Sequence, residues 1–336
     1  MTRDRSLEIW HIPKRGSIHQ TIGALNIIKH FEIDGKKWPG TIRKFFDQKF
    51  AMWGFTSRGR SLSKNASETL EALIKYLGLL IIDVDRRIRI TPAGHALIEE
   101  HAISEPQKKK KALKETENEM GDIHSDVIAH QMMKLVLTNP TILNYCQNIE
   151  VYPFRETILL LKDTKISYLS PEELAMFLFH MKDSNGRQTV RSKIFQYRNM
   201  PTNKREKLVK DYLKTPEGNL TLGQAPTSAY WRQLCINTGL CKSIKQNLYL
   251  NHDKDKEIES LLNEYEERIF NFKDNKLLWE EYYTVPSRKK QPINVQIKIK
   301  EGVSEEYLLT VLKGEHLIAG SLISGGTEFA VPVFPG

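Results

Sequence analysis

Between Asn65 and His101 the apolar positions follow three rhythms in succession. Leu70, Leu73, Ile74 and Leu77 recur at i, i+3, i+4 and i+7, which puts an apolar face on one side of a helix. Asn65 is placed to cap that helix, with Glu68 three residues on in the capping-box position. Gly78 is placed to end it in a left-handed C-cap. The apolar run Leu79-Leu80-Ile81-Ile82 then leads into the turn Asp83-Val84-Asp85-Arg86-Arg87, and Ile88-Arg89-Ile90 alternates as a returning strand. Pro92, behind Thr91, opens a second helix. Helix, basic-tipped hairpin, helix is the outline of a winged helix-turn-helix. A small α+β core with a charged turn is the plainer reading of the same pattern.

The flanking segments extend this picture. Leu7, Ile9 and Ile12 are candidate inward positions, followed by the basic turn Lys14-Arg15-Gly16. Ser17 can cap a helix to about Phe31, and a second helix is expected from Thr41 to about Trp53. Arg58 and Arg60 lie in a basic lead-in to the Asn65 helix. Residues 1–103 thus read as one DNA-recognition domain, and the charge-rich residues 104–121 as a solvated linker. A new core begins near Ile123, with a helix through Val127 and Met132 and another after Pro153. Ser170-Pro171-Glu172-Glu173 is the strongest capping signal in the chain. Residues 201–224 read as polar and irregular. From about Pro226 the order helix, glycine, apolar strand, polar turn, strand returns through Thr238-Gly239 to Leu250. Such a recurrence suggests a pair of winged-helix-like domains, the second covering 122–270. A charged helix from Asp253 to about Phe270 ends it. Residues 271–336 read as a linker and C-terminal extension with one strand near Val295–Lys300. The fold class expected is mainly α with small β-hairpins (α+β).

Charge then directs attention to a polyanion. The 336 residues carry a net charge of +9, which favours nucleic acid as partner. Cys146, Cys235 and Cys241 have no metal-ligand spacing, so neither a structural zinc nor a disulfide framework is expected. No apolar run is long enough to span a membrane, and Met1–Arg5 does not open a signal peptide. A cytoplasmic protein without membrane association is the resulting expectation. Candidate DNA contacts are Lys14, Arg15, Arg58 and Arg60 in the basic turns and Arg86 and Arg87 at the first hairpin tip. Lys242 and Lys245 occupy the second hairpin. At about 100° per residue, Arg187, Arg191 and Arg198 fall on one ridge of a helix over 187–199. Gln188 and Asn199 flank that ridge. Arginine suits phosphate or guanine, and the two amides suit adenine.

In this order, several short motifs resemble the recognition half of the AlwI-like type IIS restriction and nicking endonucleases. They include Trp10-His11-Ile12-Pro13-Lys14-Arg15, Gly35-Lys36-Lys37-Trp38, Ser57-Arg58-Gly59-Arg60 and Ile90-Thr91-Pro92-Ala93-Gly94. Phe195-Gln196-Tyr197-Arg198-Asn199 and Tyr230-Trp231-Arg232 with Thr238-Gly239-Leu240 continue the likeness, which spans about residues 7–265. The resemblance implies two N-terminal domains that read a short asymmetric site in double-stranded DNA. It also implies a separate magnesium-dependent PD-(D/E)xK nuclease domain that cuts a few bases away. Such a nuclease needs acidic groups and a lysine converging on a metal. Asp163-Thr164-Lys165 is the one segment that mimics the motif, and the residues after Asp274 are few for such a domain. The expectation is therefore a recognition part with no catalytic or metal-binding residues and no cofactor of its own. Magnesium and cleavage would belong to an associated nuclease domain or subunit of a restriction-modification system. A tandem winged-helix transcriptional regulator or replication initiator is the alternative.

Overall fold

A computed structural model describes residues 8–13, 17–38, 40–57, 64–105, 112–140, 149–265, 276–286, 293–298 and 328–333. Helix α1 (Ile18–His30) starts at a complete capping box, in which the Ser17 hydroxyl and the Gln20 side chain accept from each other's backbone N–H. Helices α2 (Thr41–Met52) and α3 (Lys64–Tyr76) follow, then the antiparallel hairpin β1 (Leu80–Ile82) and β2 (Ile88–Ile90), then α4 (Pro92–Glu100). Helix α3 begins one residue before Asn65, so Asn65 lies in its first turn and not at its cap. Gly78 does adopt a left-handed φ of 67°. Thr91 caps α4 by accepting from Gly94 N, and its hydroxyl also donates to Gly78 O at 2.7 Å. The backbone at 36–38 runs beside β2: Ile88 N donates to Lys36 O and Trp38 N to Arg86 O. A single antiparallel bridge, Lys37 to Arg87, thus borders the two-stranded hairpin.

Helices α5 (Leu113–Met120) and α6 (Asp126–Lys134) connect this arrangement to a second one. There, α7 (Pro153–Lys162), β3 (Tyr168–Leu169) and α8 (Pro171–Met176) lead to α9 (Gly186–Arg198), α10 (Thr202–Leu213) and α11 (Pro216–Leu222). Helix α12 (Thr227–Asn237), the hairpin β4 (Cys241–Ile244) and β5 (Asn247–Leu250), and α13 (Asp255–Glu264) complete it. Strand β3 pairs with β5, as 36–38 borders β2 in the first arrangement. In both, the first helix packs on the returning hairpin strand, and the helix before the hairpin packs on its outgoing strand. The Ser170–Glu173 capping box forms with both reciprocal bonds. Residues 201–224, expected to be irregular, hold α10 and α11. Helix α10 buries no residue, so it lacks the apolar periodicity that a sequence reading depends on.

The chain divides into two compact units, 1–286 and 287–336. The two recognition domains expected at 1–103 and 122–270 therefore share one unit. Trp10 shows why: its backbone donates to Phe179 O, its indole donates to Met181 O at 2.8 Å, and its ring lies 5.9 Å from that of Trp231. Trp10, ahead of α1, is thus buried in the second arrangement. The expected linker also packs, because Thr116 on α5 donates to Gly54 O and Glu117 accepts from the Ser17 hydroxyl. Helix α14 (Lys276–Tyr283) closes the first unit. The Tyr283 hydroxyl donates to Tyr76 O, and Gln131 Nε2 donates to both Leu77 O and Tyr283 O. In the second unit, β6 (Ile293–Lys298) pairs antiparallel with β7 (Glu328–Val333). The fold is mainly helical with small antiparallel sheets. Among the described residues no helix is long and apolar enough to cross a membrane.

Candidate nucleic-acid interface

The turn of the first hairpin is built by Asp83. Its carboxylate accepts from Arg87 N at 2.8 Å and from Arg89 Nε at 3.3 Å, and its carbonyl accepts from Arg86 N. The Arg87 backbone bond is the main reason the Asp83 carboxyl titrates below its usual range; desolvation opposes it, and the Arg89 guanidinium adds to it. Arg86 takes a left-handed φ of 59° at the tip, where Val84 is 94% exposed. Arg87 is also exposed, but it turns inward along the turn and donates to Gly35 O at 3.2 Å. Arg86 is therefore the outward cation of this tip.

The second hairpin tip is tighter. Lys245 and Gln246 both have positive φ, 49° and 69°, between the paired residues Ile244 and Asn247. A two-residue turn of this hand matches the strand twist but usually recruits glycine or asparagine. Side chains of this size are strained there, and such strain concentrates at functional positions. Arg232, on α12, braces the turn by donating to Gln246 O at 2.7 Å. Lys242 and Lys245 are exposed. Arg232 lies in a motif of the sequence, Tyr230-Trp231-Arg232, but nothing in its spacing reveals that it supports the turn.

The arginine ridge of α9 forms as the angles require, but carboxylates meet it. Arg187 grips the buried Glu156 of α7 through Nε and Nη2 at 2.6 and 2.9 Å. Arg191 pairs with Asp163. Arg198 holds Glu173 through two bonds of 2.6 and 2.9 Å and donates to Ile166 O and Tyr168 O. Its guanidinium also stacks 3.9 Å from the Tyr168 ring. Arg198 therefore acts inside the protein, joining α9 to α8 and β3. Arg187, Arg191 and the exposed Gln188 line a cleft of about 380 Å³ beside Leu159, Asp163 and Asn185. Asn199 caps the far end of α9 and is exposed. Lys14, Arg15, Arg58 and Arg60 lie outside the described residues.

Asp163 does not stand in a metal-binding cluster. It ends α7, accepts from Lys165 N at 2.9 Å and pairs with Arg191. Burial pushes its carboxyl upward, but Arg191 and the Lys165 amide outweigh this and hold it below its ordinary value. Among the described residues no group of three His, Cys, Asp or Glu side chains is placed to hold a metal ion.

Two comparisons bear on this arrangement. The model of the family described as AlwI restriction endonuclease matches residues 75–307. A crystal structure of pyrene- and phenanthrene-modified DNA in complex with the BpuJ1 endonuclease binding domain is similar in fold. The TM-score is 0.50 and the identity 12%, over 84% of this chain and 99% of that one. No curated protein matches the chain.

Proposed function

The chain belongs to the AlwI restriction endonuclease family, and from that premise we propose that residues 1–286 read duplex DNA for a type IIS or nicking endonuclease. The observation that carries the reading is the repeated order of a helix, a basic-tipped hairpin and a following helix, with a further backbone segment bordering each returning strand. These are tandem winged-helix-like units, with Arg86 at one wing tip and Lys242 and Lys245 at the other. The fold of a DNA-bound binding domain supports the same reading. Gln188, at the mouth of the α9 cleft, presents an amide suited to an adenine edge. Cleavage falls to a magnesium-dependent nuclease unit outside the described residues, in the rest of the protein or on a partner.

The test is binding of the full chain to duplex pools across about 50–200 mM salt, followed by selection of a preferred site from random duplexes. A protein making 6–10 phosphate contacts loses roughly a thousandfold or more in affinity across that range. Arg86→Ala should weaken all sequences about equally. Gln188→Ala should relax one base position at a cost on the order of 1–3 kcal/mol on the selected site. A flat salt response, or no site emerging from selection, would overturn the reading.

A further inference from the structure

Helix α10 touches neither hairpin strand directly, yet it carries charge with few carboxylate partners. Residues 186–214 contain nine Lys or Arg and two Asp or Glu, a net +7 of the chain's +9. On α9, Arg187, Arg191 and Arg198 are matched by carboxylates from α7 and α8. On α10 the situation is different. Lys204, Lys207 and Lys210 are exposed, and among the described residues none has a carboxylate within ion-pair distance. At about 100° per residue they lie within an arc of about 120°, and their α-carbons span about 9 Å along the helix axis. Lys214 continues the stripe and is paired with Asp211 at 2.8 Å.

A helix that buries nothing is not held by its own packing. The anchor of α10 is Tyr212, whose hydroxyl donates to Ala175 O at 2.9 Å and contacts His180 Nε2 and Thr221 Oγ1. Gly218 lets α11 press against this point, because a Cβ there would sit 1.8 Å from Tyr212 O. The lysine stripe is therefore presented in a fixed direction from a docked helix. Helix α10 packs on α11, and α11 packs on α8 and α12, so α10 stands one helix away from the helix preceding the second hairpin.

We propose that the Lys204-Lys207-Lys210 face of α10 is a clamp for the phosphate backbone of duplex DNA flanking the base pairs read by the hairpin units. The inference rests on the DNA-reading role proposed above. It adds a contact surface that is indifferent to sequence and lengthens the footprint. Lysine suits the task as a point charge for phosphate, and each contact made this way releases counterions.

The test compares the wild-type full chain with a Lys204→Gln, Lys207→Gln, Lys210→Gln triple variant on a selected duplex with long flanks. Losing three phosphate contacts should flatten the slope of log K against log salt by about 2.7, and hydroxyl-radical protection should recede from one flank while the selected site stays covered. Asp211→Asn, which removes a negative charge from the stripe, should tighten binding, an outcome that misfolding cannot produce. A triple variant with wild-type slope and footprint would overturn the clamp while leaving the DNA-reading role standing. Failure of the wild type to bind any duplex would overturn both.

Discussion

Replacing Arg198 by methionine separates a structural role from a DNA-contacting one. Its partner Glu173 has a side chain only 2% exposed, and Arg198 itself is 18% exposed. The change would leave a carboxylate buried without its cation. It would also strip the donor from Ile166 O and Tyr168 O and remove the stack on Tyr168. Breaking a buried ion pair from one side costs about 3–5 kcal/mol. The lower half of that range is expected here, because Arg198 keeps some contact with water. At roughly 2–4 °C per kcal/mol for sizeable domains, the melting temperature should fall by about 6–16 °C. Guanidinium unfolding followed by tryptophan fluorescence reads the loss directly. Adding Glu173→Gln removes the orphaned charge while preserving an acceptor for Ser170 N, which Glu173 now supplies, and should restore most of the stability. If Arg198→Met kept the wild-type midpoint and instead lost DNA affinity, the inward assignment of this arginine would be wrong.

Two further outcomes follow from packing and titration. Gly94→Ala would place a Cβ 2.2 Å from Leu79 O and 2.8 Å from Ile90 Cγ2, forcing α4 off the first hairpin. A loss of about 1–3 kcal/mol is expected, seen as a lower denaturation midpoint, and an unchanged midpoint would refute the close approach. Burial lowers the pKa of His180, Glu217 opposes the shift and Lys193 adds to it; burial also lowers His130, reinforced by Lys134 and opposed by Asp126. Both therefore bind protons more weakly folded than unfolded, so stability should decline as pH falls below the ordinary imidazole value of about 6.5 toward the folded-state values. A midpoint that stays level just below that pH would count against the buried, neutral state of these rings.

What the sequence made legible was whatever repeats locally. The hairpins, the Thr91–Pro92 and Ser170–Pro171 helix starts and the α9 ridge all follow from spacing within a dozen residues, and they form in the structure. Partners across the chain were not legible. The angles that gather Arg187, Arg191 and Arg198 on one face carry no information that Glu156, Asp163 and Glu173 stand opposite, 25–31 residues away. The packing that joins residues 1–103 and 122–270 within one compact unit was hidden for a similar reason. Trp10 lies before α1 but is buried beside Phe179 and Trp231, and no local pattern announces so distant a contact. Helix α10 escaped because its residues answer to charge and helix propensity, with no buried face to mark the period.

Two arrangements of one order in a single chain free the molecule from two-fold symmetry. Helix-turn-helix dimers present identical reading surfaces, so their sites mirror the protein's own axis. Here the two hairpins differ at their tips. The first turn is held by an aspartate and offers Arg86, whereas the second is a strained Lys245–Gln246 turn braced by Arg232. The helices between α8 and α12 widen the difference, because among the described residues between α2 and α3 there is no helix. On the proposed function, the second hairpin arrangement alone carries the α9 cleft and the lysine face of α10. Such a reader has one orientation on its site. That directionality is what cutting at a fixed offset from an asymmetric sequence demands. It follows from the divergence of the two units more than from their likeness.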